Sequence, residues 1–218
     1  MGRIEIKKLV LGSVSTNCYI IWNKETKEAL IVDPADNAAR IRDIIVTDGL
    51  ELKAILLTHG HFDHIMATSD LVQIFHVPVY CHEAEQELLG DANLNLSSMM
   101  GRAGDYTIQA SNTVKDLEIL DLIGEKIQVL YTPGHTKGGV CYYFMEEGCM
   151  FVGDTIFLES VGRTDFPTGN PATLIQSIQE KLYALDSAIV LYPGHGPATS
   201  IGYEKENNPY TSDEVFWD

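Results

Sequence analysis

The segment THGHFDHI, residues 58–65, sets His59, His61, Asp63 and His64 within six positions. Imidazoles and carboxylates at this density suit metal coordination, and their spacing decides how many ions they serve. His59 and His61 are two apart, so on extended backbone their side chains project to one side and can chelate one ion. Asp63 and His64 follow a turn at Phe62 and open the next helix, so they leave in another direction. A single tetrahedral ion does not accept all four. A catalytic ion of the zinc type takes about three protein ligands and keeps a position open, so two ions need roughly six or seven. Three further donors stand far along the chain: His135 in TPGHT, Asp154 in GDT and His195 in YPGHG. The count then fits two ions, one held by His59, His61 and His135 and the other by Asp63, His64 and His195, with Asp154 shared. All seven are nitrogen or oxygen donors without a thiolate, a set that suits zinc, iron or manganese and does not choose among them.

Two dications about 3.5–4 Å apart can share a water and lower its pKa towards ~7, which makes a hydroxide nucleophile available at neutral pH. In that scheme Asp63 orients the nucleophile and Asp154 bridges the ions, so both count as catalytic groups. Such a centre attacks a carbonyl, stabilises the oxyanion and releases a good leaving group such as a thiolate without extra acid help.

The elements that must position these residues show one regularity. Four apolar runs each end in a glycine-adjacent His or Asp: AILLT-HGH, IQVLYTP-GH, MFVG-D and IVLYP-GH. Runs of this kind suit strands buried on both faces, and α/β sheets place their ligands beyond the carboxyl ends of such strands. Further strands are expected at about 3–11, 17–22, 28–33, 77–80, 115–121 and 139–145, and helices at 37–47, 63–75, 82–89 and 172–184. Residues 90–112, rich in Gly, Asn, Ser and Met, have weak periodicity and are expected to form a long excursion serving as a lid or partner surface. His76 and His82 lack a glycine-flanked strand exit and are expected to be structural.

The 218 residues are expected to form one domain, with a polar, partly ordered tail from about 203. With 45% apolar and 21% charged residues and no long apolar tract, the composition is that of a globular protein without a membrane span. The first residues alternate like a strand and show no leader pattern, so a cytoplasmic location is expected. Cys18, Cys81, Cys141 and Cys149 are scattered in apolar runs and read as buried free thiols. A formal charge of −16 without a basic run speaks against a nucleic-acid partner.

THGHFDH, TPGHT, GDT and YPGHG, in that order, resemble the metallo-β-lactamase superfamily. GDTIFLESVGRTDF most resembles its type II glyoxalases, the hydroxyacylglutathione hydrolases, and the related persulfide dioxygenases. The resemblance covers residues 4–200 and implies a four-layer αβ/βα sandwich with the metals at one edge of two facing sheets. It also implies the ligand roles reached by counting. A metal-dependent thioesterase acting on a small hydroxyacyl thioester is therefore the expected function. Where the glyoxalases carry Lys and Tyr for glutathione, this chain has Arg163 and Asp165, and where they carry a Tyr after the last histidine it has Pro197. No counterpart of their C-terminal helical extension is expected in these 218 residues, so the resemblance is not expected to carry glutathione over as the thiol. Arg163 either binds a substrate carboxylate or pairs with Asp165. The rival readings are a mononuclear iron oxidoreductase acting on a persulfide, a lactonase or β-lactamase, and a metal-binding scaffold without activity. Phe157 stands where the lactonases have Tyr, and no Cys ligand of the β-lactamase kind is found.

Overall fold

Strands that are apolar on both faces need cover on both faces, and the layering of this chain follows from that requirement. In the computed structural model, which describes residues 2–100 and 106–211, β1 (Ile4–Leu11), β2 (Thr16–Asn23), β3 (Glu28–Val32), β4 (Glu51–Leu56), β5 (Val79–His82) and β6 (Asn112–Val114) form one sheet in that order. A second sheet joins β7 (Ile119–Leu122), β8 (Glu125–Tyr131), β9 (Val140–Phe144), β10 (Cys149–Gly153), β13 (Val190–Pro193) and β14 (Thr199–Ser200). The short pair β11 (Ile156–Phe157) and β12 (Ser160–Val161) stands apart from both.

Alternation divides each central strand between two cores. Cys18, Ile20, Ile31 and Ile55 of the first sheet pack outward against Ile41 and Ile45 of α1 (Ala38–Thr47) and Leu71 of α3 (Thr68–Phe75). Their neighbours Tyr19, Ile21, Leu30 and Leu56 point inward and meet Val129, Tyr142, Phe144 and Phe151 of the second sheet. The far face of that sheet offers Cys141, Met150, Val152 and Leu191 to Leu174 of α5 (Pro171–Ser177) and to Ile178 and Leu182 beyond it. The order helix, sheet, sheet, helix is the four-layer αβ/βα sandwich that the resemblance implies. Each fully buried Ile or Leu contributes roughly 1.5–3 kcal/mol of transfer free energy, so the strands that carry the site are anchored by the cores on both their faces.

Pairing then brings the strand exits together. β3 and β4 are parallel, as are β10 and β13, so Asp33, Thr58, Asp154 and Gly194 follow strands that end at one edge of the sandwich. Gly194 donates its N–H to the carbonyl of Gly153 at 2.8 Å, and Asn17 binds the carbonyls of Pro193 and Gly196 through its side chain at 2.9 Å each.

Several expected elements change in detail. The helix expected over 63–75 is two: α2 (Phe62–Ile65) and α3, broken where Ala67 gives its N–H to the Pro34 carbonyl instead of continuing the ladder. The strand expected over 115–121 is interrupted by Leu117, whose φ of 62° turns the chain between β6 and β7. The helix expected over 82–89 begins as a single 3₁₀ turn, Glu83–Glu85, before α4 (Gln86–Gly90). In the part of the polar tail that is described, up to Thr211, Ile201–Asn207 form α6, and the buried Glu204 carboxylate accepts from the Glu159 N–H, Thr199 Oγ1 and Asn208 Nδ2. Periodicity misses this helix because its buried positions include a charge satisfied by distant partners. In the excursion, Ser97–Met100 form a 3₁₀ turn and the Asn95 carbonyl accepts from the Phe62 N–H, while residues 101–105 lie outside the described part. All four cysteines are free and buried, and burial raises the Cys141 thiol to about 11. Among the described residues no helix is long and apolar enough to cross a membrane.

Candidate metal centre

Two groups of three side chains converge at the edge where the strands end. The first is the imidazole triad of His59, His61 and His135, whose donor atoms lie within 4.8 Å of one another. His61 Nδ1 stands 2.9 Å from His135 Nε2. The outer nitrogens are tied down. Thr58 Oγ1 donates to Asp33 Oδ2 at 2.6 Å and so accepts from His59 Nδ1 at 3.1 Å, which aims His59 Nε2 into the group. His135 Nδ1 donates to the Arg163 carbonyl at 2.6 Å and frees its Nε2 in the same way. His59 Nε2 is buried without a hydrogen-bond partner, an arrangement that costs free energy unless an acceptor of its lone pair is present.

The second group, Asp63, His64 and His195, also has its donor atoms within 4.8 Å. His195 Nε2 lies 3.3 Å and His64 Nε2 3.6 Å from Asp63 Oδ2, which additionally accepts from Thr16 Oγ1 at 2.7 Å. His64 Nδ1 donates to Asp33 Oδ2 at 2.8 Å, leaving its Nε2 buried and unpartnered. The Asp154 carboxylate stands between the triads, with Oδ1 3.4 Å from His64 Nε2 and Oδ2 3.6 Å from both His135 Nε2 and His195 Nε2. Gly194 makes this approach possible, because a Cβ there would lie 2.2 Å from Asp154 Oδ1. Orphaned nitrogens and a carboxylate oxygen converging on common points fit divalent cations: His59, His61 and His135 can hold one, Asp63, His64 and His195 another, with Asp154 open to both.

The triads differ in protonation. Burial drives the His59, His61 and His135 imidazoles towards the neutral form, and neighbouring histidines add to it, with His61 lowered to about 3. Burial acts the same way on His64 and His195, but there the carboxylates prevail: Asp63 and Asp154, with Asp33 for His64, raise both above the ordinary histidine value. Burial would also raise Asp154, yet the cation at His64 holds it at about 2.

All seven residues expected at the centre are brought together. Arg163 and Asp165 are not part of it. The Arg163 guanidinium pairs with Asp165 at 2.8 and 2.7 Å and lies over the Phe166 ring, 3.8 Å from its centroid. Arg163 stands on the rim of a cleft of about 590 Å³ that opens onto His61, Asp63, His135, Asp154 and His195, while Asp165 does not line it. Leu96, Met99 and Met100 of the excursion form part of its wall. His76 closes α3 with φ 55°, and His82 stacks on Tyr131 at 4.2 Å, so both have the structural places expected of them.

Two residues escaped the sequence reading. Asp33 accepts from Thr58 N at 2.8 Å, Thr58 Oγ1 and His64 Nδ1, and thereby braces one histidine of each triad. Its donor atoms also group with His59 and His64, but with both oxygens engaged it positions those rings rather than competing for an ion. The signal was present, since EALIV-D is a fifth apolar run that ends in an acid. Glu85, fully buried, accepts from the Gly60 N–H at 3.0 Å and presses its other oxygen against Gly138, joining the loops of His59, His61 and His135. Nothing in the spacing of HEAE marks it.

Comparison with known proteins agrees with this geometry. The family model of the metallo-beta-lactamase superfamily matches residues 11–195. A probable metallo-hydrolase of Bacillus subtilis is 35% identical over 94% of this chain and 96% of its own length. The hydroxyacylglutathione hydrolase GloC of Haemophilus influenzae is 36% identical over 95% of this chain and 98% of its own. Among solved structures, the BLEG-1 B3 metallo-beta-lactamase superposes with a TM-score of 0.91 at 37% identity, covering 95% of this chain and 100% of that one. A protein crystallised in a di-iron-bound form gives 0.84 at 34% identity over 94% and 99%. With the family model matching residues 11–195 and a probable metallo-hydrolase matching nearly its whole length, the chain belongs to the metallo-beta-lactamase superfamily, among its metal-dependent hydrolases.

Proposed function

We infer that the chain is a dinuclear metallohydrolase that cleaves a small hydroxyacyl thioester, with His59, His61, His135, Asp63, His64, His195 and Asp154 as its metal ligands. The observation that carries this reading is the placement of the Asp154 carboxylate within 3.4–3.6 Å of imidazoles from both triads. The relationship to GloC supports the thioester as substrate. Zinc is the first choice of metal, and the same donors accommodate iron or manganese.

Two bound divalent ions would supply an activated water and polarise the substrate carbonyl. The protein's own groups do the rest. Asp63, fixed by Thr16 and held in its charged form by His64 and His195, accepts a hydrogen bond from the attacking water and orients it. The C–O bond forms as the C–S bond breaks, and the products are a carboxylic acid and a thiol. Among the described residues the cleft lining offers no lysine or tyrosine as general acid, which suits a thiolate because it leaves without protonation. Metal analysis of freshly purified protein, then a panel of thioesters with chelated protein as control, tests the proposal. About two ions per chain and chelator-sensitive thioester hydrolysis are expected; a metal-loaded protein that cleaves none of them overturns it.

The rival reading, a mononuclear iron oxidoreductase acting on a persulfide, draws on the fact that Asp154 also faces His135, so an imidazole and carboxylate set for one iron is complete without the second triad. One iron per chain with oxygen uptake on a persulfide would favour it over the hydrolase.

A further inference from the structure

Resting on the thioesterase reading, the cleft itself narrows the substrate. Of its fifteen described lining residues, eight are apolar, including Phe62, Leu96, Met99, Met100, Phe157 and Phe166. Met99 and Met100 are 75% and 44% exposed and join the aromatic rings in one apolar wall at the mouth of the cleft. Apart from the histidines of the triads, the described lining residues hold one cation, Arg163. That guanidinium is already paired through two hydrogen bonds with Asp165 and covered by Phe166. A thiol with carboxylates of its own, such as glutathione, would lose hydration here and find no unpaired cation among the described lining residues.

We propose that the thiol portion of the substrate is uncharged and apolar, seated between Phe62, Phe157 and Phe166 with the methionines closing over it. Methionine suits this task because its unbranched, polarisable side chain moulds to irregular apolar groups and to aromatic rings. Arg163 then contributes its carbonyl, which orients His135, and its stacked guanidinium, which walls the cleft.

Lactoyl esters of glutathione, N-acetylcysteamine and benzyl mercaptan, presented to the metal-loaded enzyme, test this. The benzyl ester is expected to exceed the glutathione ester in kcat/KM by about tenfold or more, the discrimination typical of apolar pockets, with the N-acetylcysteamine ester between them. Met100→Ala and Phe166→Ala should each raise KM for the benzyl ester about fivefold and narrow the ratio. Saturation-transfer NMR on metal-free protein supplies a readout without turnover: benzyl methyl sulfide should bind and S-methylglutathione should not. A glutathione ester cleaved as well as or better than the benzyl ester overturns the apolar assignment and leaves the thioesterase reading standing. Absence of cleavage for all three overturns the thioesterase reading, and the NMR pair then reports the preference of the cleft separately.

Discussion

The two triads occupy the same sheet edge, yet they are built on opposite electrostatic principles. His59, His61 and His135 are buried, neutral and braced from behind by a hydroxyl and a carbonyl. Asp63, His64 and His195 form a charged set in which burial pushes the imidazoles towards neutrality and carboxylates push harder the other way. His195, its side chain 28% exposed, is also the most accessible of the six. A neutral, preformed set asks for a cation without first giving up protons. A charged set has already satisfied itself in part, through His64 and His195 against Asp63 and Asp154, and must release protons to coordinate. The centre is therefore one strong half and one adjustable half, joined by Asp154.

The joint is the place to break the comparison most severely. Asp154→Ala removes the single carboxylate that faces both triads, and activity should fall by about a thousandfold or more, with bound metal reduced in both halves. Atomic absorption on the purified variant beside a turnover assay checks it; full metal and full activity together would remove Asp154 from the centre.

Asp33→Ala should have the next largest effect, and an uneven one. His64 donates directly to Asp33, whereas His59 is reached only through Thr58, so the mixed triad loses more. Removing such an outer partner of a metal-binding histidine typically costs about 10–100-fold in affinity. Stepwise metal titration by calorimetry should show one weakened site and one nearly intact. Equal weakening would mean that Thr58 transmits the brace as firmly as a direct contact.

Five of the seven residues of the centre, His59, His61, His135, Asp154 and His195, are legible because each sits beside a glycine at the end of an apolar strand, and Asp63 and His64 because they follow His61 directly in the same dense cluster. Asp33 also ends an apolar run, but EALIVDP lacks the glycine that marks the other exits. The four layers came from the family resemblance; the strand runs alone indicate buried α/β strands but not how two sheets face each other. What the sequence hid is of another kind. Glu85 serves loops that meet only in three dimensions, and Glu204 satisfies groups up to 45 positions away, so neither leaves a periodic trace. The break between α2 and α3 was invisible for the same reason, because the competing acceptor is the carbonyl of Pro34.

Acidification should separate the halves without mutation. In the metal-free protein His64 and His195 titrate above the ordinary histidine value, so an ion entering the mixed triad displaces protons at pH 7, and its affinity falls as pH drops. His61, lowered to about 3, stays neutral over the same range, and His59 and His135 are lowered as well. Between pH 7.5 and 5.5 the mixed triad should lose up to about tenfold in affinity per pH unit for each proton displaced, while the imidazole triad changes little. Equilibrium dialysis across this range should pass from two ions per chain to one. Simultaneous loss of both would contradict the division.

The smallest effect concerns Glu85, which braces the imidazole triad as Asp33 braces the mixed one. Burial raises its carboxyl above the ordinary range, while the N–H of Gly60, directly between His59 and His61, depends on it as acceptor. Glu85→Gln keeps an oxygen for that N–H in nearly the same volume, so thermal stability should change by about 1 kcal/mol or less. Glu85→Ala strips the acceptor and leaves a buried donor unsatisfied, a loss of about 1–3 kcal/mol. Because the strand exits hold the rest of the loop, the loss should appear chiefly as weaker binding at the imidazole triad, with the mixed triad unaffected. If Glu85→Ala weakens both triads alike, the two halves share one scaffold and their contrast is electrostatic only; if it weakens the imidazole triad alone, each half has its own brace as well as its own charge.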